Sequence, residues 1–122
     1  MSKVKIFEDL DCWKESGKLA IEIFVAFENN KNFSFKDQIC RAVVSISNNI
    51  AEGFERGSDK DFRKFLYIAK GSCGEVRSML YIALKLNYIN REKFNLLKDQ
   101  SIACSALLSG LIKYLDSKIA QH

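Results

Sequence analysis

Apolar residues recur along this chain with the period of a helix. Between Ser34 and Gly57 they fall at Ile39, Val43, Ile46 and Ile50, spaced by four, three and four positions, the mark of one buried helical stripe. Before it, Leu10, Trp13, Gly17, Ala20, Phe24 and Phe27 alternate threes and fours. They predict a first helix from about Asp9 or Asp11 to Phe27, with this row as its packing seam. A third helix is expected to carry Phe62, Phe65, Leu66, Ala69, Cys73, Val76, Leu80 and Ala83, ending around Leu86 to Asn87. The fourth carries Phe94, Leu97, Ser101, Cys104, Leu108, Leu111 and Leu115 and runs to about Lys118.

The residues between these runs read as caps. Ser34 followed by Asp37, and Ser58 followed by Asp61, have the form of an acidic capping box and mark the starts of the second and third helices. The second helix should stop near Gly53 to Gly57. Asn87 suits the left-handed conformation that closes a helix, with Tyr88 and Ile89 folding back over the end, and Asn90 is the natural cap of the fourth. Four helices with connections mostly this short pack as antiparallel neighbours. The expected fold class is therefore all-α, an antiparallel up-and-down four-helix bundle.

Composition supports this reading. The chain has no proline and only six glycines, few of the residues that punctuate β-rich folds. At 122 residues and 48% apolar it fits one domain, 1–122, with a short amino-terminal tail over about 1–8. No apolar run approaches the roughly 20 residues of a bilayer span, and the first residues lack the apolar segment of a secretory signal. A cytoplasmic location is expected, with no membrane partner. Cys12, Cys40, Cys73 and Cys104 are far apart, form no CxxC pair and fall within helical patterns, so they read as buried free thiols.

A polar row accompanies the stripe of the second helix. Arg41, Ser45, Asn49, Glu52 and Arg56 repeat with the same period about half a turn away. If the second and third helices turn at Gly57 and Ser58, Arg41 comes level with Gly74 and Glu75, Ser45 with Lys70 and Gly71, and Glu52 with Arg63. The row then forms one interhelical network in which Arg41 and Glu75 are the charged ends and Ser45, Asn49 and Ser72 fill the hydrogen bonds between them. Half-buried polar groups must be paired, and such a network fixes helix register. Gly71 and Gly74 inside the third helix each cost about 1 kcal/mol relative to alanine. They point either to something that approaches this backbone closely or to a locally weak or kinked helix.

Catalysis finds little support. His122 is the only histidine and stands at the last position, which excludes Ser-His-Asp or Cys-His catalysis and a histidine-ligated metal. Glu52 and Glu75 lack the Glu-x-x-His companions of bundle metal sites, and GFERGS lacks the spacing and lysine of a phosphate loop. No catalytic residue, cofactor or metal is expected. A formal charge of +4 is only mildly basic. Arg56, Lys60, Arg63 and Lys64 nevertheless cluster at the junction of the second and third helices, with Lys70 beyond them. Repeated around a ring of subunits, they would attract phosphates; balanced by Glu55, Asp59 and Asp61, they are an ordinary solvated face. Phe7, Phe33, Phe35, Phe54, Tyr67, Tyr81 and Tyr114 are more aromatics than a bundle of this width encloses, and the surplus marks an interface or covers helix ends.

The ordered residues Leu10 and Trp13, Arg41-Ala42, Ser45-Ile46, Asn49-Ile50-Ala51-Glu52-Gly53, Arg56, Phe65-Leu66, Ala69, Gly71-Ser72, Glu75, Leu86 and Tyr88-Ile89 resemble the 23S rRNA intervening-sequence proteins. That bacterial family is similar to the accessory protein of diversity-generating retroelements. The resemblance implies a four-helix bundle, a pentameric homo-oligomer, and a basic surface that engages RNA or DNA or a reverse transcriptase; most members have no established activity. Ser47, Ser34 and Gly74 depart from the family pattern. The functional expectation is a non-enzymatic oligomeric accessory to nucleic acid or ribonucleoprotein, with a purely structural adaptor as the alternative.

Overall fold

A computed structural model of the protein describes residues 4–121. A 3-10 turn, Phe7–Asp9, leads into α1 (Asp11–Phe27), α2 (Phe33–Glu55), α3 (Asp59–Lys85) and α4 (Arg91–Ala120). In sequence order α1 packs on α2, α2 on α3 and α3 on α4, and α4 closes back on α1. The result is the antiparallel four-helix bundle that the periodicity predicts. Among the described residues there is no strand.

Most helix ends are set by the expected residues. Ser58 caps α3 by accepting a hydrogen bond from the Asp61 amide, and Asn90 caps α4 by accepting one from the Lys93 amide. α3 closes with Asn87 at φ 60°, the Asn87 amide donating to the Leu84 carbonyl and the Tyr88 amide to the Ala83 carbonyl, a paired closure that satisfies two end carbonyls. α2 differs. Its cap is Asn32, which accepts from the Phe35 amide, so Ser34 lies inside the first turn and Asp37 beyond it, and the two form no capping box. Asn32 also donates through Nδ2 to the Tyr88 hydroxyl, tying this cap to the α3–α4 turn.

The stripe of α2, at Ile39, Val43, Ile46 and Ile50, is fully buried, as is the expected seam of α4. Each valine, leucine, isoleucine or phenylalanine among them contributes about 1.5–3 kcal/mol of transfer free energy. On α1 the core face is one position away from the expected row. Cys12, Ser16, Leu19, Ile23 and Phe27 point inward, while Trp13, Gly17 and Ala20 are only half-buried and Phe24 is 46% exposed. Rotation by one residue is about 100° on a helix, so the row from Trp13 to Phe24 runs along the edge of the bundle. Ser16 disguises the true stripe; it can be buried because its hydroxyl donates to the Trp13 carbonyl at 2.9 Å.

Of the seven aromatics judged surplus, four are accommodated. Phe7 packs edge-on against Trp13, Phe35 lies between Phe27 and Tyr88, Phe54 meets Phe62, and Tyr114 lies against the core beneath Lys118. Phe33, Tyr67 and Tyr81 remain exposed.

Candidate nucleic-acid interface and the polar seam

The α2–α3 seam is closed at one point by a glycine. A Cβ on Gly53 would stand 2.5 Å from Phe65 Cβ and 3.2 Å from Phe62 Cδ1, closer than side chains can approach. Gly53 therefore lets α3 come against the backbone of α2. The chain does not stop there: α2 continues to Glu55, and Gly57, at φ +86°, makes the turn. Around Gly71 and Gly74 nothing lies within 4 Å of a Cβ, so among the described residues no neighbouring element packs against either position. α3 passes through both as one continuous helix.

Above Gly53 the seam is polar. Asn49 donates through Nδ2 to the Ser45 carbonyl at 2.8 Å and to Ser45 Oγ at 2.9 Å, and Ser72 Oγ donates across the seam to Ser45 Oγ at 3.0 Å. All three side chains are half-buried, so each bond satisfies groups that water reaches poorly. The charged ends assigned from the sequence are not part of it. Arg41, its side chain 79% exposed, pairs at 2.8 Å with Asp37 one turn back on its own helix, and Glu75 is exposed with no ion pair among the described residues. Matching heights brought Arg41 and Glu75 level, but both side chains lie on the solvent side of their helices. Glu52 likewise pairs with Arg56 at 3.2 Å instead of Arg63, which crosses to Asp116 on α4 at 2.8 Å.

These pairings divide the basic cluster. Arg56 is held by Glu52 and lies over the Phe65 ring at 4.9 Å, and Arg63 is neutralised by Asp116. Asp59, one of the expected balancing acids, is taken by Lys118 at 3.3 Å. Lys60, Lys64 and Lys70 are exposed on α3, and among the described residues none has a carboxylate within 4.0 Å. Within this cluster the cations left to attract an external anion are thus these three lysines. Sequence reasoning missed Arg77, which is exposed on the same helix and also lacks an ion pair among the described residues. Its spacing of seven from Lys70 was the available signal.

The four thiols are free. Burial pushes Cys12 and Cys73 up to about 12 and Cys104 to about 11, and it raises half-buried Cys40 as well, so none is poised as a thiolate nucleophile near neutral pH. Among the described residues no helix is long and apolar enough to cross a membrane.

The sequence profile of the 23S rRNA-intervening sequence proteins matches residues 8–110. No curated protein matches. A solved structure from Bacteroides thetaiotaomicron, described as a protein of unknown function from the S23 ribosomal protein family, is similar to this one with a TM-score of 0.79. The two are 28% identical, over 84% of this chain and 98% of that one. The profile match spans α1, α2, α3 and the first part of α4, and its range includes Ser45, Asn49, Gly53, Phe65 and Ser72. This chain belongs to the 23S rRNA-intervening sequence protein family.

Proposed function

We propose that the protein is a non-enzymatic, self-assembling accessory of RNA or DNA that holds phosphates on the basic surface of α3. The observation that carries this reading is the set Lys60, Lys64 and Lys70, exposed on one helix and unneutralised among the described residues. Such lysines contribute sequence-independent affinity through counterion release. A bundle of this size gains from repetition. Copies arranged in a closed ring, a pentamer by family resemblance, multiply three cations into a continuous surface. Exposed apolar side chains support assembly: Ile21, Phe24 and Val25 on α1 and Phe33 at 75% exposure leave apolar surface for a subunit contact. Free thiols fit a cytoplasmic setting.

Two measurements test this. Light scattering at tens of micromolar should give about five times the 13.9 kDa chain mass; a monomer overturns the assembly. Converting Lys60, Lys64 and Lys70 together to Glu should abolish salt-dependent binding to RNA and DNA while the helical spectrum is unchanged. Unchanged affinity and salt slope in the folded variant would leave the lysines a solvated face. The exposed apolar surface of α1 and Phe33 would then favour a protein adaptor.

A further inference from the structure

One row of residues on α3 faces away from the core for the whole length of the helix. Tyr67, Lys70, Gly74, Arg77 and Tyr81 follow at spacings of three, four, three and four, so they share a face, and all five are exposed. Lys60 and Lys85 extend the row at either end and are exposed too. The row contains no carboxylate: between Phe62 and Lys85 the single acidic residue, Glu75, is at another position of the turn. From Lys60 to Lys85 a helix rises about 38 Å, and from Tyr67 to Tyr81 about 21 Å.

The two tyrosines are 54% and 51% exposed, high for rings of this size in a folded bundle. Tyr81 is held from beneath: its ring meets Phe94 edge-on at 4.9 Å, and Arg91 and Lys98 stand 5.8 Å and 5.5 Å from the same Phe94 ring. It is thus a fixed aromatic surface with cations beside it. Between the tyrosines, Gly74 supplies no side chain and nothing lies within 4 Å of its missing Cβ, so the path along the helix is unobstructed.

From this alternation of ring and cation we infer that α3 is a platform for single-stranded nucleic acid, on which Tyr67 and Tyr81 stack unpaired bases while Lys70 and Arg77 take the phosphates between them. A duplex keeps its bases stacked inside and cannot offer them to a helix-borne ring; an unpaired strand can. No Asn or Gln occurs between Lys60 and Lys85 to read base edges. The platform is therefore tolerant of sequence, and RNA and DNA strands share the chemistry it recognises. This inference rests on the nucleic-acid reading above and adds the strandedness, the two tyrosines and Arg77 to it.

The test measures fluorescence anisotropy of the full chain with oligouridine RNA, oligothymidine DNA, an abasic strand of the same length and a duplex. Both strands should bind more tightly than the duplex and the abasic strand. Tyr67→Ala and Tyr81→Ala should each weaken the strands about tenfold, Tyr→Phe at either site should retain binding, and duplex affinity should not move. Arg77→Ala should lower the salt slope by about one. If the unmodified protein binds neither strand nor duplex, the nucleic-acid reading falls and the platform with it. If strands bind but the Ala variants or the abasic strand match the unmodified pair, stacking alone is overturned. A reduced assembly mass for the double Ala variant would assign these tyrosines to a subunit contact and overturn the platform equally.

Discussion

Gly53→Ala should be among the most damaging single-methyl changes in this bundle, although alanine is the better helix former. In the last turn of α2 the substitution gains at most about 1 kcal/mol of helix propensity. Against this, the new Cβ would lie 2.5 Å from Phe65 Cβ, where carbon atoms prefer about 3.5–4.0 Å. Phe65 Cβ is bonded directly to the α3 backbone, so no rotamer change removes the clash; the helices must part by about 1 Å. Parting them also stretches the Ser72–Ser45 hydrogen bond, 3.0 Å long across the same seam. Overpacking of this kind costs about 3 kcal/mol at the upper end of its usual range, leaving a net loss of about 2 kcal/mol. Gly74→Ala is the control. It sits in the interior of α3 with nothing within 4 Å of a Cβ, and should gain about 1 kcal/mol. Urea unfolding followed by circular dichroism, at one fixed chain concentration because assembly adds to stability, should separate the two variants by about 3 kcal/mol. A Gly53→Ala protein as stable as the unmodified one, with an unchanged denaturant slope, would refute the close approach of α3.

Ser45→Ala and Ser72→Ala should each cost about 1 kcal/mol, and the double variant less than their sum, because both remove the same bond; strict additivity in a double-mutant cycle would count against the seam. Arg41→Ala and Glu75→Ala should each change stability by no more than about 0.5 kcal/mol and should add, since Arg41 has only an exposed intrahelical partner. A coupling above that would restore the interhelical pair. Stability should fall in alkali. Below the ordinary thiol value of 9.0 the buried thiols are neutral in both states; above it the unfolded chain ionises while Cys12, Cys73 and Cys104 stay protonated until about 11 to 12. The loss is roughly 1.4 kcal/mol per pH unit for each thiol. Urea midpoints under reducing conditions should show it, and a Cys12→Ala/Cys73→Ala/Cys104→Ala variant should show much less; equal slopes would refute it.

Helix number, order and most caps were legible in the sequence because they depend on local rules. A 3.6-residue apolar period marks a helix wherever it packs, and Ser58, Asn87 and Asn90 act on backbone groups within a few residues of themselves. The antiparallel arrangement followed from the short connections, and it placed Ser45 close to Ser72. The face of α1 was not legible. Two rows one residue apart both carry apolar side chains, and the choice between them depends on which neighbours stand around the helix. Ser16 looks polar in the sequence and becomes core only because its hydroxyl is satisfied by its own backbone.

Glycine and charge had the same ambiguity. Gly53, Gly71 and Gly74 are alike in the sequence, yet only the packing of α3 made Gly53 the point of close approach and left the other two open. Height along a helix follows from residue number, so Arg41 and Glu75 were placed level. Whether two side chains meet depends also on the angle at which each helix presents them, and an exposed arginine takes the nearest carboxylate, here Asp37. The same rule joined Arg63 to Asp116 across α3 and α4, fifty-three positions apart in the chain. Local periodicity therefore determined the helices and their order; the rotation of each helix about its own axis, and with it the free cations and the exposed rings, was decided only when all four packed together.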